Sequence, residues 1–567
     1  MPQQISMFGT DNDQKKLGAY YTDQLVADFL VTWAVQKPTD CVMDPGFGDG
    51  VFLRSACKRI VTLGGTPSAQ VVGLEINSRA QAPTARDLSN RYAVPANSLR
   101  CGDFFEIAPQ TYQVDAVLGN PPFVRYQRFN GTQREQALSR ARSQGIKISE
   151  LTSSWAPFLI HAVSMVRRGG RLGMVAPFEL CHASYARPVL QHLMRCFGKT
   201  VLLTFRQKLF QSLNQDTLLI LAEDRGSREG LVLLRDLSGP SDLVTLLKQM
   251  ALTRATLIRG SEVVDPHGLT QGGQRLINYL IPKKIRLLYQ ELKGAATVTR
   301  LGDLASVGIG YVTGANDYFH IGPSRARALG IPENYLVPAV RRGRALAGTR
   351  FTHRDWESKL GSGDTGYLLS VDGDPNSFPS SLARYLERGR SLGIPGAFKC
   401  RTRSPWYRVP HVYCPDAFLT YMSGAYPKLV ANSARVVGPN SLHIVRLRGS
   451  QIATADHLAT VWQNSLTGLS VEIEGPFPWG GMLKMEPTEA RNVVLPVVED
   501  SAVAHLYEEV DSVCRLGGID AARLVVDKDI LKKHLGLSDR DCQLLRQGAR
   551  ILAERRSQRG GGHRRVA

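Results

Sequence analysis

Asn120-Pro121-Pro122-Phe123 brings two hydrogen-bond acceptors and an aromatic ring together on four consecutive residues. Neither proline has an N–H to give, and each ring locks φ, so the turn is stiff. The Asn120 side-chain oxygen and the Pro121 carbonyl are then fixed acceptors beside the Phe123 ring, which is what gripping a flat heteroaromatic amine requires. Three acidic residues extend the argument. Asp44 opens the glycine turn Asp44-Pro45-Gly46-Phe47-Gly48-Asp49-Gly50. Glycines let backbone amides approach a ligand closely, but a carboxylate there repels a phosphate, so an amine or sulfonium cation suits the turn better. Glu75 and Asp103 are placed for an adenosine-like ligand, Glu75 on its ribose hydroxyls and Asp103 on its ring amine, with Ile76 packing on the ring. Singly, each carboxylate reads as a solvated turn residue, and the prolines as a turn capping a core strand. Together they read as one site.

The elements around these residues explain how they meet. Val114 to Leu118 is a short apolar run with the look of a buried parallel strand, ending at Gly119. Cys41 to Asp44, Val71 to Leu74 and a segment near Leu99 are the other strands that lead into the acidic residues. An apolar helix from Val51 to about Leu63 follows the glycine turn. Ahead of them an amphipathic helix carries Leu25, Val26, Phe29, Leu30 and Trp33, with Thr22 placed to cap it. In an open α/β sheet the carboxyl ends of the strands line a single ligand crevice, which is where all four candidate segments fall.

The order Tyr21-Thr22, Asp44-Pro45-x-x-Gly48-x-Gly50, Glu75, Asp103-Phe104, Asn120-Pro121-Pro122-Phe123 resembles the γ-class adenine-amino DNA methyltransferases of type II restriction–modification systems. The resemblance covers roughly the first 225 residues. It implies an α/β fold: a seven-stranded, Rossmann-like class I methyltransferase domain using S-adenosylmethionine, followed by a mixed α+β target-recognition domain. Tyr21, Thr22, Asp44, Gly48, Gly50, Glu75, Ile76, Asp103 and Phe104 are the implied cofactor residues, with Thr22, Gly48 and Gly50 holding the methionine part. Phe158 is a second wall for the cofactor adenine. Asn120 and Pro121 would bind the target base, Pro122 would stiffen the turn, and Phe123 would stack on the base. Phe210, in the turn between two late strands, matches an aromatic residue that faces the flipped base in this family. Two departures stand out: Asp49 replaces a small residue, and Phe123 replaces the commoner tyrosine. Stacking needs only the ring.

The formal charge of +20 over 567 residues points to a polyanionic partner, double-stranded DNA on this reading. A separate cognate restriction endonuclease is the other implied partner. The nine cysteines form no Cys-x-x-Cys pair, so neither a disulfide framework nor a metal site is expected. No bilayer-spanning run is present, and a cytoplasmic location is expected. The domain expectation is catalysis over 1–228, a helical connector over 229–297, target recognition over 298–498 and a basic helical segment over 499–567. Residues 124–150 read as a basic solvated loop. Lys399-x-Arg401-x-Arg403-x-Pro405-Trp406-Tyr407 and the arginine-rich tail from Arg546 read as DNA contacts. An RNA- or protein-amide-directed methyltransferase is the enzymatic alternative, and a DNA-binding protein with a relict cofactor fold is the non-enzymatic one.

Overall fold

Short apolar runs with covered faces become parallel strands, and the first third of the chain supplies five of them in succession. The computed structural model describes residues 22–150, 152–210, 215–250, 257–270, 273–449, 452, 454–475 and 481–559. Tyr21 lies outside them. The chain divides into two compact units, one holding the described residues up to Leu280 and the other Ile281–Ser557.

The first unit is organised on strands β1 (Val42–Asp44), β2 (Val71–Glu75), β3 (Leu99–Cys101), β4 (Val114–Gly119), β5 (Val166–Pro177), β6 (Phe197–Phe205), β7 (Thr217–Arg225), β8 (Leu231–Leu237) and β9 (Glu262–Val263). They form one mixed sheet in the order β3-β2-β1-β4-β5-β7-β6-β8-β9. The pairings β3-β2-β1-β4-β5 are parallel, whereas β7 runs antiparallel to both β5 and β6. Every residue of β4 is buried, as a central strand covered on both faces demands. The helices that matter to the site are α1 (Gln24–Ala34), α2 (Val51–Thr62), α3 (Ser78–Tyr92), α4 (Gly131–Ser143) and α5 (Trp155–Val163). All nine residues of α5 are buried.

Three expectations are corrected here. The sheet has nine strands rather than seven, and the extra two come from the segment expected to be a helical connector. Leu231-Val232-Leu233-Leu234 is too uniformly apolar for periodicity to tell strand from helix; pairing beside β6 decides it. Residues 124–150 are not a bare loop, since α4 buries Ala137 and Ala141 at helical spacing. Thr22 does not cap α1. Asp23 does, its Oδ1 accepting from Leu25 N at 2.8 Å, because a carboxylate at the N-cap satisfies that orphan amide directly.

The second unit mixes helices with antiparallel strands. A four-stranded sheet orders Ala305–Ile309, Leu442–Leu447, Ala417–Thr420 and Leu429–Ala431, and a three-stranded one orders His320–Ile321, Thr365–Leu369 and Leu336–Val340. Its core draws on Leu304, Val445 and Trp462 and equally on Val510, Val526 and Ile530, so the carboxyl-terminal helices share one core with the expected recognition domain. The arginine-rich tail is correspondingly not all surface. Arg556 is buried, with Nη2 donating to Glu472 Oε1 at 2.8 Å and to the Ala425 carbonyl at 3.1 Å. Among the described residues no helix is long and apolar enough to cross a membrane.

Candidate active site

Asn120 leaves the carboxyl end of β4 with its amide oriented by a residue 98 positions away: Nδ2 donates to Thr22 Oγ1 at 3.2 Å. The other end of the same amide, Oδ1, is buried and has no hydrogen-bond partner among the described residues. A buried acceptor left unpaired costs about 1–3 kcal/mol, so an unpartnered Oδ1 beside the turn is an observation that needs a donor to explain it. The following turn is held from outside. Ser154 Oγ donates to the Pro122 carbonyl and accepts from Val124 N at 2.9 Å, while Ser154 N donates to the Val124 carbonyl at 2.9 Å. Two prolines restrict the turn from within, and Ser154 fixes where it sits.

The glycine turn is knitted to the second strand. Gly48 N donates to Glu75 Oε2 at 2.8 Å, and Asn77 N donates to Glu75 Oε1 at 2.7 Å. Gly48 lies at φ +51° with open space where a Cβ would be, which leaves room beside the turn. Gly50 lies at φ +79°, and a Cβ there would fall 2.4 Å from Thr84 Cγ2, so conformation and packing on α3 both require glycine. Asp44 is fully buried with Oδ1 accepting from Gly46 N at 3.1 Å. Burial pushes its carboxyl well above the usual carboxylate range, and the nearby Glu75 and Asp49 push it further. Glu75 is also raised by burial, against the pull of the Asn77 and Gly48 amides. Carboxyls in this condition favour a ligand that brings positive charge or hydroxyl donors.

Asp44 also stands against the strand that carries Asn120, since a Cβ at Gly119 would lie 3.1 Å from Asp44 Oδ1. The aromatic floor is contiguous with the turn. Phe158 packs under Gly46, and its ring centroid is 4.8 Å from that of Phe104. His161 continues the cluster 4.4 Å from Phe104, and burial lowers its imidazole to about 4. Ile76, just past Glu75, is 48% exposed, which leaves its side chain open to a ligand. Asp103 caps the turn after β3, with Oδ1 accepting from Phe105 N at 2.9 Å. Phe123 and Phe210, the expected stacking rings, are both buried.

Sequence reasoning did not single out Ser154, nor the group behind it. Trp155 Nε1 donates to Tyr185 Oη at 3.3 Å, Tyr185 Oη donates to Glu179 Oε2, and Gln215 Nε2 donates to Glu179 Oε1 at 3.3 Å. These contacts tie the start of α5 to the end of β5, beside the strand that bears Asn120. The one signal available was a pair of serines ahead of an apolar helix, which is too common to mean anything alone. The described residues contain no His, Cys, Asp or Glu cluster that could hold a metal ion.

Comparison with known proteins adds to this geometry. Residues 3–264 match the family described as N-6 DNA Methylase, and residues 273–531 match the family described as Type II methyltransferase M.Eco57I, C-terminal domain. Type II methyltransferase M.AccI of Acinetobacter calcoaceticus is 20% identical over 500 residues, covering 84% of both chains. Type II methyltransferase M.XamI of Xanthomonas campestris pv. amaranthicola is 22% identical over 497 residues, covering 86% of both. The solved structure of the type IIL restriction-modification enzyme MmeI in complex with DNA matches with a TM-score of 0.54 at 11% identity, over 96% of this chain and 80% of that one. At that identity the likeness concerns the fold alone.

Proposed function

The chain is an adenine-specific DNA methyltransferase of a type II restriction–modification system, and from that premise we propose that its first unit methylates a flipped adenine held by Asn120 and Pro121. The RNA-directed, protein-amide-directed and relict-fold alternatives are not favoured by these matches. The observation that carries the proposal is the Oδ1 of Asn120, buried and without a hydrogen-bond partner among the described residues. The exocyclic amine of adenine is a weak nucleophile because its lone pair is delocalised into the ring. Asn120 Oδ1 and the Pro121 carbonyl accept its two N–H bonds, which localises the lone pair and aims it. Thr22 keeps the amide from turning over, and Ser154 keeps the turn from shifting. Catalysis by positioning and preorganised dipoles follows, without a strong base, since the alkylated amine loses its proton readily.

S-adenosylmethionine supplies, when bound, an electrophilic methyl group on a sulfonium. The residues present fit it: open space borders Gly48, Asp44 offers a buried carboxyl for positive charge, and Ile76 is exposed for an adenine face. In this reading Thr22, Gly48 and Gly50 hold its amino-acid part. Glu75 takes the ribose, and Asp103, Phe104 and Phe158 border the adenine. Because the target amine is inside a duplex, the base must be everted to reach Asn120, with Phe123 and Phe210 as the rings that receive it. The second unit reads the DNA site, and a separate endonuclease cleaves unmodified copies of it.

The test is to express the chain in a methylation-deficient host and map N6-methyladenine across the host DNA. Modification at one recurring short sequence, absent with Asn120→Ala, is the expected result. Unmodified host DNA, or modification that persists in the Asn120→Ala variant, would overturn the proposal.

A further inference from the structure

The basic and aromatic residues between 398 and 407 look alike in sequence, and the structure sorts them into two kinds. Arg403 is spent on the fold: Nη1 donates to the Thr313 carbonyl at 2.8 Å and Nη2 to the Val312 carbonyl. Cys400 is fully buried, with Sγ 3.6 Å from the same Thr313 carbonyl. Trp406 packs on Tyr318 with ring centroids 5.7 Å apart, and Tyr407 is buried. Phe398, Lys399 and Arg401 are the reverse. Phe398 is 65% exposed, the most exposed aromatic ring among the described residues. Lys399 Nζ and Arg401 Cζ lie over it at 5.3 and 5.2 Å from the ring centroid. Neither cation pairs with a carboxylate among the described residues, and both are exposed.

We propose that the turn Phe398–Thr402 is a DNA-contacting finger of the second unit, with Phe398 pressing on bases and Lys399 and Arg401 on the flanking phosphates. The proposal rests on the DNA methyltransferase reading and adds to it a surface and the residues that form it. An apolar ring of this size gains nothing from water, and its neighbours are cations, which fits a partner that is anionic outside and aromatic inside. Duplex DNA has that construction, with phosphates at the rim and stacked bases within the groove. Proteins that bend DNA use apolar side chains as wedges between base steps in the same way. The anchoring makes the finger effective. Cys400 and Arg403 pin the turn to residues 312–313, so little conformational freedom is lost when the ring docks. On binding, the two cations exchange the ring face for phosphates at short range.

The experiment uses the full chain and two labelled duplexes of equal length, one carrying the site found by mapping modified adenines and one lacking it. Phe398→Ala is expected to raise the Kd for the site-bearing duplex about 10-fold or more, and Phe398→Trp to restore it. Lys399→Ala with Arg401→Ala is expected to weaken both duplexes and to lower the salt dependence of binding by about two phosphate contacts. S-adenosylmethionine binding, measured alongside, should not change in any of the three. An unchanged Kd in Phe398→Ala, with methylation intact, overturns the finger and leaves the enzyme reading in place. Loss of donor binding in the same variant overturns it too, by showing the effect to be structural. Failure of the unsubstituted chain to modify the site-bearing duplex would instead sink the methyltransferase reading itself.

Discussion

The turn after β4 and the turn at Phe398 each carry a phenylalanine and are built in opposite ways. In the first, Pro121 and Phe123 are buried, the Ser154 hydroxyl binds the backbone at two points, and one acceptor on Asn120 is buried without a partner among the described residues. In the second, the anchors Cys400 and Arg403 are tied down while the ring and two cations stand in water. The difference fits the two roles proposed for these turns. A dipole that must stabilise charge in a transition state is worth most where water is excluded and costs nothing to reorganise there. Cations that must find a polyanion have to stand where phosphates can reach them, and they steer it within about a Debye length.

Substitutions can break or sharpen this contrast, because they should change rate at the first turn and affinity at the second. The largest effect belongs to Asn120→Ala, which should lower kcat about 10³-fold or more while sparing donor binding. Single-turnover methylation with a titration of S-adenosylmethionine reads both, and a near-normal rate would erase the distinction between the turns. Ser154→Ala comes next. It frees the Pro122 carbonyl and the Val124 amide, and a small displacement of the acceptors should cost about 10- to 100-fold in kcat with little change in DNA affinity. Ser154→Thr, which keeps the hydroxyl, should recover much of the rate, whereas a purely structural serine would not show that split. Thr22→Val should follow at about 10-fold in kcat, since the amide can then rotate, and Thr22→Ser should restore it.

The smallest effects are on stability, and two buried groups of the first unit push it in opposite directions. Burial lowers His161 to about 4, so it is neutral in the native state. The unfolded chain binds that proton near 6.5, hence stability present above about pH 6.5 is lost as pH falls towards 4. Asp44 runs the other way: its carboxyl is raised by burial, so the native state holds a proton longer, and its ionisation lowers stability as pH climbs above the ordinary carboxylate range. Asp44→Asn should therefore raise the melting temperature at neutral pH by about 2–4 °C while weakening donor binding. His161→Gln should flatten the decline between pH 6.5 and 4 in urea unfolding. A loss of stability in Asp44→Asn at pH 7 would contradict the buried-charge account.

Much of the first unit was legible because its chemistry is local. A parallel strand and the turn after it occupy fewer than about a dozen residues, and strand ends of an open sheet converge by topology. That is why Asp44, Glu75, Asp103 and Asn120 read as strand-end residues from sequence, and each lies at or just past the carboxyl end of β1, β2, β3 or β4. Strand count was not legible in the same way, since Leu231–Leu237 has no period of its own and becomes a strand by pairing with β6. Nor could Thr22 be told from a helix cap, because Asp23 beside it serves that role equally well in sequence.

By itself the sequence determined the motif series, the basic charge and the family resemblance they carry, all from residue types at short spacing. Tertiary structure alone decided the rest: the Thr22 bond that turns the Asn120 amide, the Ser154 clasp, and which arginines are free. Arg401, Arg403 and Arg556 are the same residue in a one-dimensional string. One lies over an exposed ring, one is bonded to backbone carbonyls and one is buried on Glu472. A guanidinium's role is set by the acceptors that packing brings to it from distant parts of the chain, and spacing along the chain carries no record of them.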